Sequence, residues 1–409
     1  MAERTRTVVT GVGAVSALGH DFEANWAAAR DGHGKIAVQG LPPTKHGPPF
    51  TPMPLALVEP GVQEKVEETL GHRVGALDPT SIFALSAVHE ALGHAGLLKH
   101  PALEHRAAVV FGHGYIGGQT LETAYERYFG LKSRVHPLTV PRIMVSAPVS
   151  AISMEFGLKG PIFAVSSACS SSGHSIAQAS MLIASGLADV AIAGGSEAMI
   201  APGILWAWES LQALSKNNLR PFSAGRDGTV MGEGAAALIL ESYEHAKARG
   251  ATILGELCGT GMSSDAFHWT QPSLEGAKSA ILQACENAGV LNVEGMLISA
   301  HGTGTVLNDK NEAAAIREIF GDRAQSHHVV ATKSAHGHLI GASTALQAVI
   351  GLRALEAKLA PPVLNYLGPD PDCDINLVLG EARPIESEYL LVNSFAFGGL
   401  NTALVFKKP

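Results

Sequence analysis

One of the four cysteines, Cys169, stands where a predicted strand turns into a predicted helix. Its segment, VSSACSSSGHS, follows a β-branched run and precedes an alanine-rich stretch with helical spacing. A thiolate at a helix N-terminus is stabilised by the helix dipole and by free backbone N–H groups, and both lower the pKa of the thiol. We therefore interpret Cys169 as a candidate nucleophile. The alternative is a small buried apolar residue, a common role of free cysteine.

Two histidines and a lysine occupy comparable positions in the second half of the chain. His301 ends a predicted strand in ISAHGTGT, beside glycines that let the backbone approach a ligand closely. His338 lies in TKSAHGHLIGA, where another strand turns into a helix, and Lys333 precedes it. An ammonium group near two imidazoles keeps both neutral. A lone histidine is structural more often than not, so the interpretation rests on the combination.

The segment NSFAFGGLN, residues 393–401, predicts a strand followed by a glycine turn. Backbone N–H groups in such a turn can form one side of an oxyanion hole. The sequence contains no GxSxG, HExxH, EF-hand or Walker motif, and GVGAVS near the start lacks the third glycine of a dinucleotide-binding fingerprint. These observations argue against the common hydrolase, metalloprotease and nucleotide-binding classes.

The elements that must position these residues recur in the same order in both halves of the chain. The first half contains, in this order, VVTGVGAVSALG, TSIFALSAVHEALGHAGL, AAVVFGHGYIGG and IFAVSSACSSSGHS. The second half contains the corresponding segments ILGELCGTGMS, EGAKSAILQACENAGV, MLISAHGTGT and VVATKSAHGHLIGA in the same order. Any α/β protein alternates strands and helices, but four matches in one order favour a duplicated unit. We predict two βαβ-rich halves, residues 1–250 and 251–409, in an α/β sandwich with helices between its sheets. The proline-rich stretch around residues 34–64 predicts an irregular surface excursion.

The composition excludes several classes of protein. The chain has 409 residues, of which 46% are hydrophobic and 16% charged, with 45 glycines and a net charge of −8. It is too apolar to be disordered, and it has no overall positive charge to attract nucleic acid or an anionic membrane. The widely separated cysteines argue against a zinc site or a disulfide framework. Because neither a signal-peptide pattern nor a membrane-spanning run is evident, we expect a soluble cytoplasmic protein without a metal.

Six ordered segments resemble the β-ketoacyl-acyl-carrier-protein synthases of the elongating KAS I/KAS II type, within the thiolase superfamily. They are VVTGVGAVSALG, LKGPIFAVSSACSSSGHSI, RPFSAGRDGTVMGEGAAALILE, AHGTGTVLND, TKSAHGHLIGA and NSFAFGGLN. The resemblance implies a thiolase-like fold, a five-layered α/β/α/β/α sandwich of duplicated halves. The combination of one cysteine, two histidines and a lysine separates this branch from initiating synthases and chalcone-type enzymes, which use Cys-His-Asn, and from thiolases, which use a second cysteine.

The resemblance also implies a role for each residue. Cys169 matches the nucleophile, His301 and His338 the two histidines, and Lys333 the lysine. The backbone N–H groups of Cys169 and Phe397 match the oxyanion hole, and Phe397 resembles the phenylalanine that gates the acyl site. The implied reaction is acyl transfer to Cys169 and then decarboxylative Claisen condensation with a malonyl carrier, in fatty-acid, polyketide or polyene elongation. No cofactor is implied beyond the phosphopantetheine of the carrier.

Further residues are assigned to substrate binding. Thr303 and Thr305 are expected to contact the pantetheine or malonyl group. Tyr115, in FGHGYIGG, and Trp208, in ILWAWES, introduce bulk into the segments that the resemblance assigns to the acyl pocket, which would shorten or reshape that pocket and indicates a specialised pathway.

Docking of an acidic carrier protein is expected to use basic side chains, although ordinary solvated charge explains the same residues equally well. The candidates are Lys132, Arg134, Lys216, Arg220 and Arg226. Gln347 departs from the pattern of the family, in which a glutamate commonly pairs with the lysine. This departure leaves the charge of Lys333 open, with Asp309 or Glu312 as replacement partners.

The expected partners are an acyl carrier protein and a second subunit. A homodimer is the expectation from the family, and a heterodimer with a ketosynthase-like subunit lacking the cysteine is the alternative. Two other functions are also considered: a ketosynthase-like subunit of such a heterodimer, or a malonyl-carrier decarboxylase. The presence of Cys169 argues against both a non-catalytic subunit and a decarboxylase. Neither nucleic acid nor a membrane is expected as a partner.

Overall fold

The computed structural model describes residues 5–41, 50–101 and 103–409. The strands in these ranges are β1 (Thr7–Ser16), β2 (Ala37–Gln39), β3 (Met53–Ala56), β4 (Ala107–Gly112), β5 (Ile162–Val165), β6 (Val190–Glu197), β7 (Met231–Gly232), β8 (Gly234–Ser242), β9 (Gly255–Ser264), β10 (Leu297–Ser299), β11 (His328–Val330), β12 (Leu359–Ala360), β13 (Arg383–Pro384), β14 (Tyr389–Ala396) and β15 (Leu400–Lys407).

The α-helices in the same ranges are α1 (Phe22–Arg30), α2 (Val62–Leu70), α3 (Pro79–His94), α4 (Leu103–Arg106), α5 (Gly118–Tyr125), α6 (Thr139–Ile143), α7 (Ala147–Phe156), α8 (Ser171–Ala184), α9 (Pro202–Ser210), α10 (Tyr243–Ala248), α11 (Leu274–Ala288), α12 (Val306–Phe320), α13 (Lys333–His336) and α14 (Ser343–Ala357). None of these helices is long and apolar enough to span a membrane.

The main sheet shows the duplication directly. Its strand order is β11-β10-β14-β15-β9-β1-β8-β6-β4-β5. From the centre outward, one side of the sheet has the order β9, β15, β14, β10 and β11. The other side has the order β1, β8, β6, β4 and β5, so that each strand has a counterpart at the same distance from the centre. Among the described residues, the two sets pair only where Thr7, Val8 and Val9 of β1 face Leu257, Glu256 and Gly255 of β9. The sheet therefore consists of two five-stranded sheets joined at one edge, and the predicted duplication is confirmed.

Helices complete five layers. In the central layer, α8 packs on β4 and β6 while α14 packs on β14 and β8, and the two helices also touch each other. On the outer face of the first sheet, α3 covers β1 and β8, and α7 covers β4. On the outer face of the second, α11 covers β9 and β15, with α12 against α11. The predicted five-layered α/β/α/β/α sandwich is confirmed.

The abundant glycine has a packing role at equivalent places in the two halves. A Cβ atom on Gly13 of β1 would lie 2.1 Å from the carbonyl oxygen of Ala87 in α3. A Cβ atom on Gly261 of β9 would lie 2.0 Å from the carbonyl oxygen of Ala280 in α11. No side chain fits at such distances, so glycine is what lets each outer helix approach its sheet.

The proline-rich stretch is only partly irregular, which corrects the sequence prediction. Strands β2 and β3 lie within it and form a small sheet with β7. Leu55 and Ala56 of β3 are completely buried and pair with β7 of the first half, so burial overrides the turn signals of the neighbouring prolines. Residues 42–49 of the predicted excursion lie outside the described ranges. The division at residue 250 falls between α10 and β9 and stays a prediction.

Candidate active site

Cys169 lies in a sharp turn between β5 and α8. A single 3₁₀ turn, Ala168–Ser170, joins the two elements, and Ala168 adopts φ = +50°, a conformation unfavourable for a residue with a side chain. The hydroxyl of Ser171 donates to the carbonyl oxygen of Ala168 (2.6 Å) and accepts from the N–H of Ser167 (2.9 Å). These bonds hold the turn and place the cysteine at the start of α8, as predicted.

His338 approaches the cysteine from the second half of the chain. Its Nε2 atom lies 3.1 Å from the Sγ atom of Cys169. Its Nδ1 atom lies 2.8 Å from the hydroxyl oxygen of Ser343, and its backbone N–H donates to the carbonyl oxygen of Val230 (2.7 Å). Because a hydroxyl can donate or accept, Ser343 supports either tautomer of the imidazole. Ser343 was missed by the sequence analysis.

His301 and Lys333 complete the cluster. The rings of His301 and His338 meet edge to face, with centroids 5.6 Å apart. The Nζ atom of Lys333 donates to the carbonyl oxygen of His301 (2.6 Å) and to Oε1 of Gln347 (2.7 Å), and it lies 3.4 Å from Nδ1 of His301. Gln347 in turn donates to the carbonyl oxygen of Ala300 (2.6 Å). The structure thus brings the four predicted residues together.

Burial controls the charges of this cluster. It lowers the pKa of His301 and of His338 well below the usual value, and the cation of Lys333 lowers both further. Burial also lowers the pKa of Lys333, whereas the nearby carboxylate of Glu312 raises it. Glu312 accepts hydrogen bonds from the backbone N–H groups of His301 (2.8 Å) and Gly302 (2.9 Å). Both imidazoles are therefore neutral near pH 7.

The expectation of a lowered pKa for Cys169 is wrong for the free thiol. Burial raises the pKa of this thiol to about 11, and this effect exceeds the opposing effects of Lys333 and of the backbone N–H groups of Phe397 and of Cys169 itself. Cys169 as a whole is only 6% exposed, so water solvates a thiolate there poorly. The same two N–H groups are the predicted oxyanion donors, and both face the sulfur.

The glycine turn is held by a loop that the sequence analysis missed. Gly398 and Gly399 have φ = +80° and +72°. The N–H of Gly398 donates to the carbonyl oxygen of Trp269 (2.8 Å), and the N–H of Asp265 donates to the carbonyl oxygen of Gly399 (2.9 Å). The loop after β9 therefore supports the turn that carries Phe397. Its sequence, DAFHWTQP, has no catalytic signature.

A cavity of about 400 Å³ leads to the cluster. Cys169, His301 and His338 line it and are buried, so they form its inner end. Thr303 and Thr305 also line it, with their hydroxyl oxygens 2.9 Å apart. Both predicted threonines are thus available to a substrate that enters the cavity.

The two predicted pocket aromatics differ in position. Trp208 lines the cavity, and its ring stacks on that of Phe397 with centroids 5.7 Å apart. Tyr115 does not line the cavity, and the residue is 44% exposed. Its backbone N–H donates to Glu197 (3.0 Å), a buried carboxyl that also binds the N–H groups of Gly114 and Gly341. A contact between Tyr115 and substrate stays a prediction.

One predicted docking residue is corrected by the structure. Arg226 is buried, and its guanidinium forms an ion pair with Asp370 and donates to the carbonyl oxygens of Ser223 and Val306. It cannot contact a carrier protein, because its guanidinium is buried and paired inside the fold. Lys132 and Arg134 are exposed beside a separate surface groove.

The cluster also has the donor atoms of a small metal site. The Sγ atom of Cys169 and one ring nitrogen each from His301 and His338 lie within 4.8 Å of one another. The ammonium group of Lys333, 3.4 Å from Nδ1 of His301, opposes a second cation at this place. The expectation that no metal or other cofactor is used stays a prediction.

Comparison with known families agrees with this geometry. The family model described as "Beta-ketoacyl synthase, N-terminal domain" matches residues 4–246, and "Beta-ketoacyl synthase, C-terminal domain" matches residues 254–367. The chain belongs to the beta-ketoacyl synthase family. The predicted family resemblance and the ketosynthase function are thereby confirmed, and members of this family transfer acyl groups.

Similar proteins extend over the whole chain. Nodulation protein E of Rhizobium meliloti (strain 1021) is 40% identical over 98% of this chain and 99% of its own length. The 3-oxoacyl-[acyl-carrier-protein] synthase 2 of Staphylococcus aureus (strain COL) is 34% identical over 100% of this chain and 99% of its own. A solved structure described as "The ishigamide ketosynthase/chain length factor" superposes with a TM-score of 0.91 at 31% identity, covering 100% of both chains.

Proposed function

We propose that the chain is a 3-oxoacyl-acyl-carrier-protein synthase that elongates an acyl chain by decarboxylative condensation. The observation that carries the proposal is the distance of 3.1 Å between Nε2 of His338 and Sγ of Cys169. Around this pair stand a second neutral imidazole, His301, and the two N–H groups that face the sulfur. A nucleophile, a proton acceptor and oxyanion donors at one buried point suit acyl transfer.

In the first half-reaction, Cys169 takes the acyl group from a carrier thioester. His338 accepts the thiol proton at Nε2 as the sulfur attacks the thioester carbon. The N–H groups of Cys169 and Phe397 donate to the oxyanion of the tetrahedral intermediate. The carbon–sulfur bond to the carrier breaks, and the proton on His338 passes to the departing thiol. The products are the acyl-enzyme and the free carrier thiol.

In the second half-reaction, a malonyl carrier occupies the same cavity. The bond between its carboxylate and the adjacent carbon breaks, releasing CO₂ and leaving the electron pair as an enolate. His338 first moves its ring proton from Nδ1 to Nε2, a tautomer that Ser343 supports by donating to Nδ1. The N–H groups at Nε2 of His301 and His338 then donate to the enolate oxygen, and Lys333, by donating to Nδ1 of His301, keeps the proton of that ring at Nε2. The enolate carbon attacks the acyl thioester, and the thiolate of Cys169 leaves and takes the proton from Nε2 of His338. A proton from solvent then restores the neutral imidazole at Nδ1.

The proposed partners are an acyl carrier protein and a second subunit. The relative from Staphylococcus aureus has an acyl carrier protein in its name, and the solved ishigamide ketosynthase is named together with a chain length factor. Strand β5 lies at the open edge of the main sheet, where Phe163 is 38% exposed. An open edge with an exposed aromatic is suited to pairing with another subunit. We propose a homodimer, with a heterodimer containing a chain length factor as the alternative, in the cytoplasm.

Intact-protein mass spectrometry tests the proposal. The protein is incubated with acyl carrier proteins that bear chains of several lengths, and then with a malonyl carrier. We expect an acyl adduct on wild type and on the control Cys258→Ala, none on Cys169→Ala, and loss of the adduct with release of CO₂ and a β-ketoacyl carrier once malonyl carrier is added. CO₂ release without an adduct would instead assign a decarboxylase. No reaction with any donor would overturn the proposal for this chain acting alone and make a missing partner subunit the next possibility to test.

A further inference from the structure

The two N–H groups that face the sulfur come from different halves of the chain. The N–H of Cys169 belongs to the turn between β5 and α8, and the N–H of Phe397 belongs to the hairpin turn between β14 and β15. Donors of this kind act only when both lie about 2.7–3.1 Å from the developing oxyanion. Because hydrogen bonds within one half cannot fix a distance to the other half, the spacing of the donors depends on contacts between the halves.

Ser170, the residue after the cysteine, binds the hairpin on both sides of Phe397. Its hydroxyl oxygen lies 2.7 Å from the carbonyl oxygen of Leu400 and 3.1 Å from the carbonyl oxygen of Ser394. The single hydroxyl proton is directed at these two carbonyls, of which that of Leu400 is the nearer. Ser170 is completely buried, so water does not compete for this hydroxyl. The cysteine turn is thereby attached to both strands of the hairpin.

Ser394 makes the reciprocal contact from the hairpin. Its hydroxyl donates to the carbonyl oxygen of Cys169 (3.0 Å) and lies 3.3 Å from the hydroxyl oxygen of Ser170. The hydroxyl of Thr344 in α14 donates to the same carbonyl oxygen at 3.4 Å. Ser394 and Thr344 are completely buried. Each segment therefore binds the backbone of the other, immediately beside the residue that supplies an N–H group.

We propose that Ser170 and Ser394 are positioning residues that set the distance between the two oxyanion donors, Cys169 and Phe397. Neither serine lines the cavity, so both act through the backbone and not by contact with the substrate. The strained φ of Ala168 gives the cysteine turn a further need for such support. This inference rests on the proposed function and specifies how its oxyanion hole is assembled from two halves.

Two reactions of the same sulfur separate this role from a general effect on the site. Acyl transfer from a carrier thioester places negative charge on the carbonyl oxygen and needs both N–H donors. Alkylation of Cys169 by iodoacetamide forms a sulfur–carbon bond and expels iodide without producing an oxyanion, while His338 still accepts the thiol proton. The ratio of the two rates therefore reports the oxyanion hole independently of the reactivity of the thiol.

The variants Ser170→Ala and Ser394→Ala are assayed in both reactions. We expect each to be acylated about tenfold to a hundredfold more slowly than wild type, because a displacement of about 1 Å can cost about 10² in rate. Alkylation, followed at Cys169 by peptide mass spectrometry, should change less than about twofold. Since the two serines lie in different halves, either variant tests the proposal if the other does not fold.

Two further variants make the test specific. Ser180→Ala is the matched control, because Ser180 is a buried serine of α8 whose hydroxyl donates within its own helix, to the carbonyl oxygen of Ala177 (2.7 Å). It should change neither rate by more than about twofold. The double variant of Ser170 and Ser394 should be acylated within about twofold of the slower single variant, because both substitutions disturb the same contact between the halves.

Each outcome bears on the proposal. Equal slowing of acylation and alkylation would mean that the two hydroxyl groups support the sulfur or the fold in general, and slowing of neither would mean that the donors keep their spacing without them. Effects that multiply in the double variant would show that the serines act at independent places. All three results overturn the proposed positioning role and leave the proposed function intact. If wild type is alkylated at Cys169 but acylated by no carrier, the proposed function itself fails.

Discussion

Cys169 and His338, whose reacting atoms lie 3.1 Å apart, come from corresponding regions of the two halves of the duplicated fold. Each lies between the outermost strand of its half and a central helix: β5 and α8 for the cysteine, β11 and α14 for the histidine. Cys169 lies within a 3₁₀ turn and His338 lies two residues before one, and the first residues of these turns, Ala168 and Ile340, have positive φ, of 50° and 37°. The repeated turns point the two reacting groups toward each other.

Removal of the imidazole should slow acyl transfer. We expect His338→Ala to reduce the rate of adduct formation on Cys169 by about 10²–10⁴, because a buried thiol with a raised pKa then has no proton acceptor. Ser343→Ala, which only removes the partner of Nδ1, should cost about tenfold or less. Rapid-quench mass spectrometry at several pH values measures both rates. Acylation of His338→Ala at the rate of wild type would contradict the assigned role.

The neutral partner of Lys333 should influence the pH range of activity. Gln347 accepts from Nζ of Lys333 without contributing charge, while Glu312 and Asp309 act on the lysine from farther away. In Gln347→Glu a carboxylate at that position favours the ammonium form, so the pKa of Lys333 rises. We expect the fall of condensation activity at alkaline pH to move upward by about one unit or more.

The matched control for this change is Gln347→Met, which keeps the size of the side chain and removes the acceptor. Its alkaline limit should stay at or below that of wild type, because it adds no negative charge. Complete pH profiles of kcat separate this effect from a simple loss of stability, which lowers activity at every pH. An alkaline limit that is the same in Gln347→Glu as in wild type would show that Lys333 does not control it.

The stacked pair of Trp208 and Phe397 should limit the acyl group. Trp208→Ala removes the larger ring from the cavity wall, so we expect acyl adducts of greater length or branching than wild type forms. The cost in stability is about 3–5 kcal/mol, typical of a buried aromatic replaced by alanine. Trp206→Ala is the matched control, since Trp206 is two residues away and 46% exposed. An unchanged adduct profile would place the acyl chain elsewhere.

A buried carboxyl outside the active site should make stability depend on pH. Burial raises the pKa of Glu233 from 4.5 to about 7. As pH rises between these values, the unfolded chain ionises at this position while the folded protein stays protonated, so the free energy of unfolding falls by about 3 kcal/mol. Glu233→Gln removes this loss. Relative to wild type, the variant should therefore gain about 2–3 kcal/mol between pH 5 and pH 8.

Urea denaturation at the two pH values measures the difference. The exposed Glu59→Gln provides the control and should show no such gain. A stability difference between Glu233→Gln and wild type that is the same at pH 5 and pH 8 would show that Glu233 is ionised in the folded protein over this whole range.

Removal of metal ions tests the expected absence of a cofactor. The ligand atoms of Cys169, His301 and His338 are close enough to share a cation, but Lys333 opposes one. Dialysis against a strong chelator should leave the rates of acylation and condensation unchanged. Loss of activity that is restored by one divalent metal would overturn the cofactor-free mechanism.

Local patterns in the sequence predict much of this protein. The four groups of the cluster follow predicted strands, His301 and His338 beside glycines, and the repeated order of elements predicts the mirrored halves. Such local patterns do not predict contacts between segments that are distant in the sequence. The charge of Arg226 suggested a surface residue, but Asp370, far along the chain, holds it inside. The pKa of Cys169 depends on burial by residues from both halves, so the helix dipole alone predicted the wrong direction.

The two halves of the sheet are joined by only three residue pairs between β1 and β9 in the described chain, and this short junction suggests how the enzyme evolved. If an ancestral unit was copied and fused, the two copies have since specialised: one retained the attacking sulfur and the other the proton-handling and charge-stabilising groups. In the proposed mechanism, neither copy performs a turnover alone. Because the reacting groups are divided between the two copies, a substitution that shifts one copy relative to the other should abolish activity even where each copy still folds.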